Sequence, residues 1–113
     1  MSVAAVTTHV LDTAGGCPAA GVPVTLSRLD ADVATILGVG ETDADGRCGD
    51  LAPPRLEPGT YQLRFDTAAY FASSGQVGFF PEVAVTFSLT DPGQHHHVPL
   101  LLSPFAYSTY RGS

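Results

Sequence analysis

Residues 60–73, which read Thr-Tyr-Gln-Leu-Arg-Phe-Asp-Thr-Ala-Ala-Tyr-Phe-Ala-Ser, contain both kinds of secondary structure that the sequence predicts. Residues 60–65 alternate between polar and apolar side chains, a period of two that is typical of a strand with one buried face. Residues 66–73 are the one plausible helix, which Asp66 or Thr67 can cap by accepting a hydrogen bond from a free backbone N–H. The stretch therefore predicts a strand-rich fold with a single short helix.

Strand-like runs and turns continue on both sides of this stretch. The further runs are residues 6–11, 22–26, 33–42, 83–87, 95–102 and 106–111. The chain has 12 glycines and 9 prolines, a density that leaves no room for long helices. Most of its aromatic residues are expected in the core or against the helix: Tyr61, Phe65, Tyr70, Phe71, Phe79 and Phe80. We expect residues 1–113 to form a single all-β domain, a two-sheet β-sandwich of seven to eight strands with one short helix.

Charge and composition exclude several classes of function. Five basic residues, all arginines, stand against eleven acidic ones, for a net charge of −6. This balance argues against nucleic acid and against a polybasic membrane anchor as partners. The absence of lysine excludes Schiff-base chemistry and a phosphate-binding P-loop. Because no signal peptide and no apolar run of about 18 residues is found, we expect a cytoplasmic protein with no membrane partner.

Four histidines are the main candidates for chemistry: His9 in the first strand, and His95, His96 and His97 in a later one. Side chains alternate along a strand, so His95 and His97 share one face and His96 points to the other. Two histidines beside an arginine suit water activation and oxyanion stabilisation. The same residue types also suit zinc, with His95, His97 and His9 as ligands. Residue types alone leave both chemistries open.

Three motifs carry a family resemblance. Residues 101–113, Leu-Leu-Ser-Pro-Phe-Ala-Tyr-Ser-Thr-Tyr-Arg-Gly-Ser, closely resemble the C-terminal signature of the 5-hydroxyisourate hydrolases, a transthyretin-related family of urate breakdown. Residues 8–12 with 16–19 resemble the family's N-terminal motif, and residues 42–47 its internal motif. Thyroxine-carrying transthyretins resemble the same scaffold but lack the terminal tetrapeptide and the histidine–arginine set.

The resemblance implies a transthyretin-like β-sandwich that assembles as a homotetramer, a dimer of dimers with active sites between the dimers. It also implies site residues. His9 matches the histidine of the first strand, and Arg47 matches the arginine after the turn. His97 matches the catalytic second histidine of a His-Tyr-His-Val-Pro motif, in which His96 here replaces tyrosine and His95 is the first histidine. Tyr110 and Ser113, from the terminal tetrapeptide, are expected near the substrate.

The implied reaction is hydrolysis of the lactam ring of 5-hydroxyisourate to 2-oxo-4-hydroxy-4-carboxy-5-ureidoimidazoline, without a metal or other cofactor. His9 and His97 would hold and deprotonate the attacking water, and the sequence does not distinguish which is the base. Arg47 would bind the substrate, polarise the carbonyl and stabilise the oxyanion. Tyr110 and Ser113 would orient the substrate by hydrogen bonds.

Three rival functions stand beside this hypothesis: a small-molecule carrier of the transthyretin type, a metal-binding domain or metallohydrolase, and an immunoglobulin-like interaction module. The last is disfavoured because no tryptophan is present for a Cys…Trp…Cys core. The continuous apolar run Leu100-Leu101-Leu102 suggests burial on both faces, with one face in the core and the other at a subunit interface.

Overall fold

The computed structural model describes residues 4–112, which form nine strands and one helix. The elements in chain order are β1 (Val6–Asp12), β2 (Cys17–Pro18), β3 (Pro23–Asp30), β4 (Val33–Glu41), β5 (Arg47–Cys48), β6 (Gly59–Phe65), α1 (Thr67–Ser73), β7 (Val83–Leu89), β8 (His96–Leu102) and β9 (Tyr107–Thr109). The prediction of an all-β sandwich with one short helix is confirmed. The two additional strands, β2 and β5, contain only two residues each.

Two sheets face each other. The first has the order β2–β1–β8–β9, with β5 also pairing with β1, and the second has the order β4–β3–β6–β7. Every paired neighbour is antiparallel except β1 and β8, which run parallel with Val6 opposite His96 and Asp12 opposite Leu102. This parallel pair places the beginning of the described chain directly beside a strand from its far end.

The alternation along each strand decides which side chains enter the core. On β1, residues 6, 8, 10 and 12 are buried, whereas Thr7, His9 and Leu11 are half-buried on the outer face. On β6, Tyr61, Leu63 and Phe65 point into the space between the sheets and are almost fully buried. The candidate histidine His9 therefore lies on the outer face of the first sheet, away from the core.

One aromatic residue that the sequence places in the core or against the helix is exposed in the structure. Phe79 is 69% exposed, so the expectation that it packs in the core is wrong. It lies in the loop after α1, where its ring packs edge-to-face against Phe80 at a centroid distance of 5.0 Å. Phe80 in turn packs edge-to-face against Tyr107 at 5.1 Å. The Phe79 N–H donates to the Pro104 carbonyl at 2.7 Å, and of the two rings only that of Phe80 is half-buried.

Helix α1 closes the sandwich beside the end of β1. The Asp66 side chain accepts a hydrogen bond from the Ala69 N–H and caps the helix, as predicted. Tyr70 and Phe71 are buried on its inner face, and the Tyr70 hydroxyl donates to Asp12 Oδ2 at 2.6 Å. At seven residues, α1 is far too short to cross a bilayer, and residues 4–112 contain no helix that could do so.

Candidate active site

A tight turn places Arg47 beside His9. One carboxylate oxygen of Asp43 accepts hydrogen bonds from the backbone N–H groups of Asp45 and Arg47, at 2.9 and 3.0 Å. Gly46 has a φ of 79°, in the left-handed region that a glycine adopts without strain. The chain then enters β5, where Arg47 pairs directly with His9 of β1. His9 Nε2 donates to the Asp45 carbonyl at 2.8 Å, so the same turn also orients the His9 ring.

The parallel strand β8 brings His97 to the other side of β1. His97 pairs with Thr7, which lies two residues before His9 on the same face. Thr7, Arg47, His95 and His97 line one open cleft of about 320 Å³. The structure thus brings His9, Arg47 and His97 together on the outer face of the first sheet, although they come from three different strands.

The three consecutive histidines divide between the two faces as predicted. His95 and His97 lie on the outer face with nearly parallel rings, 6.4 Å apart between centroids. His96 is 4% exposed on the core side, where its Nδ1 donates to the Gln94 carbonyl at 3.0 Å. The histidine that replaces the family's tyrosine therefore has no direct part in the outer-face cluster.

The surroundings of His97 favour its neutral form. Burial of the ring lowers the pKa of His97 below the usual 6.5, and the nearby charges of His95, Arg47 and His9 lower it further. The Thr7 backbone acts in the opposite direction but does not offset these effects. A neutral imidazole at neutral pH has a lone pair with which to accept a proton from water.

The last described residues turn back toward His97. The predicted strand 106–111 is shorter in the structure, because the chain leaves the sheet after Thr109. Gly112 then returns to form an isolated antiparallel bridge with His97, and its N–H donates to the His97 carbonyl at 2.8 Å. Tyr110 is 58% exposed beside this bridge and lines a second, apolar cavity together with His97. Ser113 lies outside the described residues.

The geometry does not gather the histidines as metal ligands. Within residues 4–112, no three histidine, cysteine, aspartate or glutamate side chains form a group that could hold a metal ion. His9 is turned toward Asp45, and His95 is held by the Ala4 carbonyl and the Thr7 hydroxyl. The arrangement is suited to acid–base chemistry next to a guanidinium.

Sequence reasoning missed Thr7. Its hydroxyl oxygen lies 2.8 Å from His97 Nδ1 and 2.9 Å from His95 Nε2. The signal that could have identified it is its position two residues before His9, since residues i and i+2 of a strand share a face. Recognising its contact with His97 would also have required the register of β1 against β8.

Comparison with known families matches residues 6–112 to the HIUase/transthyretin family. A 5-hydroxyisourate hydrolase from Mus musculus is 53% identical to this chain over 110 residues, which cover 95% of this chain and 93% of the mouse protein.

Two solved structures have the same fold. The 5-hydroxyisourate hydrolase of Klebsiella pneumoniae superposes with a TM-score of 0.86 at 37% identity, and the match covers the whole of both chains. Sea bream transthyretin in complex with thyroxine superposes with a TM-score of 0.89 at 32% identity, covering 96% of this chain and 94% of the transthyretin. The same scaffold therefore occurs in a 5-hydroxyisourate hydrolase and in a transthyretin in complex with thyroxine.

Proposed function

The chain belongs to the HIUase/transthyretin family, and from that membership we propose that it is a hydrolase that opens the lactam ring of 5-hydroxyisourate, a step of urate breakdown. One observation supports this proposal above the others: His9, Arg47 and His97 meet on one outer face of the first sheet beside an open cleft. The high identity to the mouse 5-hydroxyisourate hydrolase supports the same substrate. The product is 2-oxo-4-hydroxy-4-carboxy-5-ureidoimidazoline.

The proposed reaction is addition of water followed by cleavage of the C–N bond. The oxygen of water attacks the ring carbonyl carbon while His9 or His97 takes its proton. The Arg47 guanidinium polarises that carbonyl and stabilises the negative oxygen that forms. The C–N bond then breaks, and the leaving nitrogen takes the proton back from the histidine. No redox agent or cofactor is needed for this balance.

Tyr110 and Ser113 are proposed to bind and orient the substrate together with His9 and Arg47. The position of Tyr110 beside the Gly112–His97 bridge supports this role, because its exposed ring lies next to His97. Aligning the ring carbonyl with the attacking water is itself a large part of such a rate enhancement.

We propose further that residues 1–113 form one domain, since the two sheets share one core and the family match runs from residue 6 to 112. We propose a homotetramer, a dimer of dimers, in which the outer face of the first sheet meets a second subunit. The open cleft supports this arrangement, because a partner would close it. The cytoplasm is the proposed compartment, and the free thiols of Cys17 and Cys48 fit a reducing environment.

A second candidate function is a carrier of small molecules. The likeness to thyroxine-bound transthyretin favours it. A carrier needs a shaped cavity but has no use for a neutral histidine next to an arginine. The two functions differ in one direct measurement, the rate at which freshly made 5-hydroxyisourate disappears.

The test is the ultraviolet decay of freshly generated 5-hydroxyisourate, followed with and without the chelator-treated protein. We expect rapid decay that survives chelation. His9→Ala and His97→Ala are each expected to lower the rate by roughly 10²–10⁴-fold, the usual contribution of acid–base groups. The hydrolysis rate of Arg47→Ala is compared with that of Arg64→Ala. Arg64 is an exposed arginine of the other sheet that pairs with Glu82 at 3.4 Å.

Decay no faster than in buffer would reject the hydrolase in favour of a carrier. Activity lost with the chelator and restored by a metal would favour the metallohydrolase. A loss smaller than about threefold in either histidine variant would remove that residue from the mechanism. Arg64→Ala is expected to retain full activity.

A further inference from the structure

The Thr7 hydroxyl contacts two of the outer-face histidines at once. Its Oγ1 lies 2.8 Å from His97 Nδ1 and 2.9 Å from His95 Nε2. A hydroxyl has one proton to donate and lone pairs with which to accept. It can therefore donate to only one of these two nitrogens and must accept an N–H from the other. The protonation of the two rings is coupled through this single oxygen.

A backbone carbonyl determines the direction of the chain of hydrogen bonds. His95 Nδ1 lies 2.7 Å from the Ala4 carbonyl oxygen, which can only accept. His95 therefore carries its proton on Nδ1 and, when neutral, has a lone pair on Nε2. That lone pair accepts from the Thr7 hydroxyl. The Thr7 oxygen in turn accepts from His97, so the proton of neutral His97 is on Nδ1.

The segment that supplies the Ala4 carbonyl is itself fixed. The Ala5 N–H donates to the Pro53 carbonyl at 2.8 Å, and the His96 N–H donates to the Ala5 carbonyl at 2.8 Å. These bonds hold the chain before β1 against the loop that follows β5 and against the first residue of β8. The Ala4 carbonyl, which begins this relay of hydrogen bonds, is therefore adjacent to Ala5, whose backbone N–H and carbonyl are both hydrogen-bonded.

The relay leaves Nε2 as the lone-pair nitrogen of His97. Within residues 4–112, this atom makes no hydrogen bond, and His97 lines the open cleft. The equivalent atom of His9 is already used, because His9 Nε2 donates to the Asp45 carbonyl. The two histidines are therefore not equivalent: His97 Nε2 is held ready to accept a proton, whereas His9 Nε2 is held as a donor.

We propose that the Thr7 hydroxyl and the His95 imidazole are positioning groups that hold His97 in the Nδ1–H tautomer, which makes His97 Nε2 the base that takes the proton from the attacking water. The inference rests on the proposed hydrolase function and assigns the base within it. In the step itself, the water O–H bond breaks as its oxygen bonds to the carbonyl carbon, and the proton moves to His97 Nε2.

The experiment determines the tautomer of His97 directly in the intact native protein. Long-range 1H–15N correlation spectra of 15N-labelled protein, recorded where the histidines are neutral, distinguish the nitrogen that carries a proton from the one that does not. A His97→Gln variant assigns the His97 signals by their disappearance. We expect Nδ1–H in the native protein. In His95→Phe, the Thr7 hydroxyl loses its acceptor, turns to donate to His97 Nδ1, and shifts His97 to the Nε2–H form.

Thr7→Val removes the relay without changing the shape of the side chain, and Thr7→Ser restores the hydroxyl. We expect Thr7→Val to lose the preference for Nδ1–H and to lower kcat by about tenfold, part of the roughly 10²–10⁴-fold that a positioned base contributes. KM should change little, and Thr7→Ser should recover both the tautomer and kcat. The matched control is Thr8→Val on the same strand, whose buried hydroxyl donates to the Val98 carbonyl. It should lower stability but keep the His97 tautomer.

Native His97 with its proton on Nε2, or Thr7→Val with an unchanged tautomer, would overturn the proposal. So would a loss of kcat that Thr7→Ser does not recover. These outcomes are separate from a failure of the proposed function. A native protein that does not hydrolyse 5-hydroxyisourate rejects the assignment of His97 as its base, whatever the spectra show, while Nδ1–H would still establish the relay as a feature of the fold.

Discussion

Gly112 shows why the tail motif contains a residue without a side chain. A Cβ atom at this position would lie 2.6 Å from His97 Cδ2, far closer than two carbon atoms can approach. Glycine therefore lets the backbone bridge to His97 while the imidazole keeps its place. The contact links a residue with no chemistry of its own to the orientation of the proposed base.

Gly112→Ala is expected to lower kcat/KM by up to about 100-fold, because the methyl group displaces the His97 ring from its working position. The measurement is the hydrolysis assay, with circular dichroism to verify the fold. The control is Gly93→Ala, where an added Cβ would lie 3.3 Å from the flexible Asp91 carboxylate in an exposed turn. Equal activity in both variants would contradict a positioning role for Gly112.

The structure predicts the direction in which the pKa of His97 is shifted. Since burial and neighbouring positive charges favour the neutral ring, its pKa lies below 6.5, and protonation begins only in more acidic solution. We expect the His97 resonances to titrate with a midpoint below 6.5 and kcat/KM to fall as pH decreases through that midpoint. Arg47→Gln removes one of the positive neighbours and should raise the midpoint. A midpoint at or above 6.5 in the native protein would contradict this prediction.

Much of the site could be predicted at the level of single residues. The alternation rule correctly separated His95 and His97 from His96. The end of the last strand and the contacts of Thr7 could not be predicted, because both depend on residues far apart in the sequence. No local pattern shows that the chain leaves the sheet after Thr109, or that a hydroxyl of β1 lies between two rings that follow it by about 90 residues.

At the scale of elements, most of the strand-like runs were predicted within one or two residues, but the run 22–26 became β3 (Pro23–Asp30), which ends four residues later. Residues 33–42 became β4 (Val33–Glu41), and the helix predicted over 66–73 begins at Thr67 after its Asp66 cap. The two-residue strands β2 and β5 were missed because two residues carry no periodicity. The parallel pairing of β1 with β8 was also out of reach, since sheet order depends on contacts between distant segments.

A buried hydrogen bond joins helix α1 to strand β1. Asp12 at the end of β1 is 3% exposed, and it accepts from the Tyr70 hydroxyl at 2.6 Å, from Gln76 Nε2 at 2.9 Å and from the Gly15 N–H at 2.7 Å. Burial alone would raise the pKa of Asp12, but these hydrogen bonds outweigh it and hold the pKa below 3.8. The ionised Asp12 carboxylate therefore links helix α1 to the first sheet by hydrogen bonds.

Tyr70→Phe is expected to lower the free energy of unfolding by about 1.5–3 kcal/mol at pH 7, the range for hydrogen bonds to charged groups. A carboxyl group with a lowered folded-state pKa stabilises the fold above its unfolded pKa and loses that effect as pH falls through the folded one. The cost of Tyr70→Phe should therefore shrink in acid. Urea unfolding at pH 7 and near pH 3 measures it.

Tyr61→Phe is the matched control for this prediction. The Tyr61 hydroxyl donates to the Glu57 backbone carbonyl at 2.6 Å and accepts from Arg28 Nη1 at 2.9 Å, and neither partner changes its charge between pH 7 and pH 3. Its cost should not follow the protonation of a buried carboxylate. An equal loss in Tyr70→Phe at both pH values would contradict the predicted dependence of this hydrogen bond on the protonation of Asp12.

At the scale of the whole molecule, the two outer faces differ. The outer face of the first sheet carries the cleft and the half-buried Leu101, which pairs with Leu11. The continuous apolar run of β8 thus has one side in the core and one side turned outward. In the second sheet, the edge strand β4 exposes Ile36 to 64%. We place the contact of the proposed tetramer on the first sheet because the proposed active site lies there.

The native protein is expected to sediment as a species of about 47 kDa, four times its mass of 11.7 kDa. Leu101→Glu should dissociate the tetramer and lower activity, because burial of a charge in an interface is costly. Ile36→Glu places the same charge on the opposite sheet and should leave both unchanged. Sedimentation equilibrium with parallel assays decides between these results. A native monomer with full activity would reject a shared site.

The parallel pairing of β1 with β8 affects how the protein folds during synthesis. Paired residues of these two strands lie about 90 residues apart in the sequence. The chain must therefore lose the conformational entropy of closing a long loop before contacts between the strands can stabilise the fold. A nascent chain that has not yet released residues 96–102 from the ribosome leaves that edge of β1 without a partner. The face that carries His9 and His97 therefore cannot form before residues 96–102 have been synthesised.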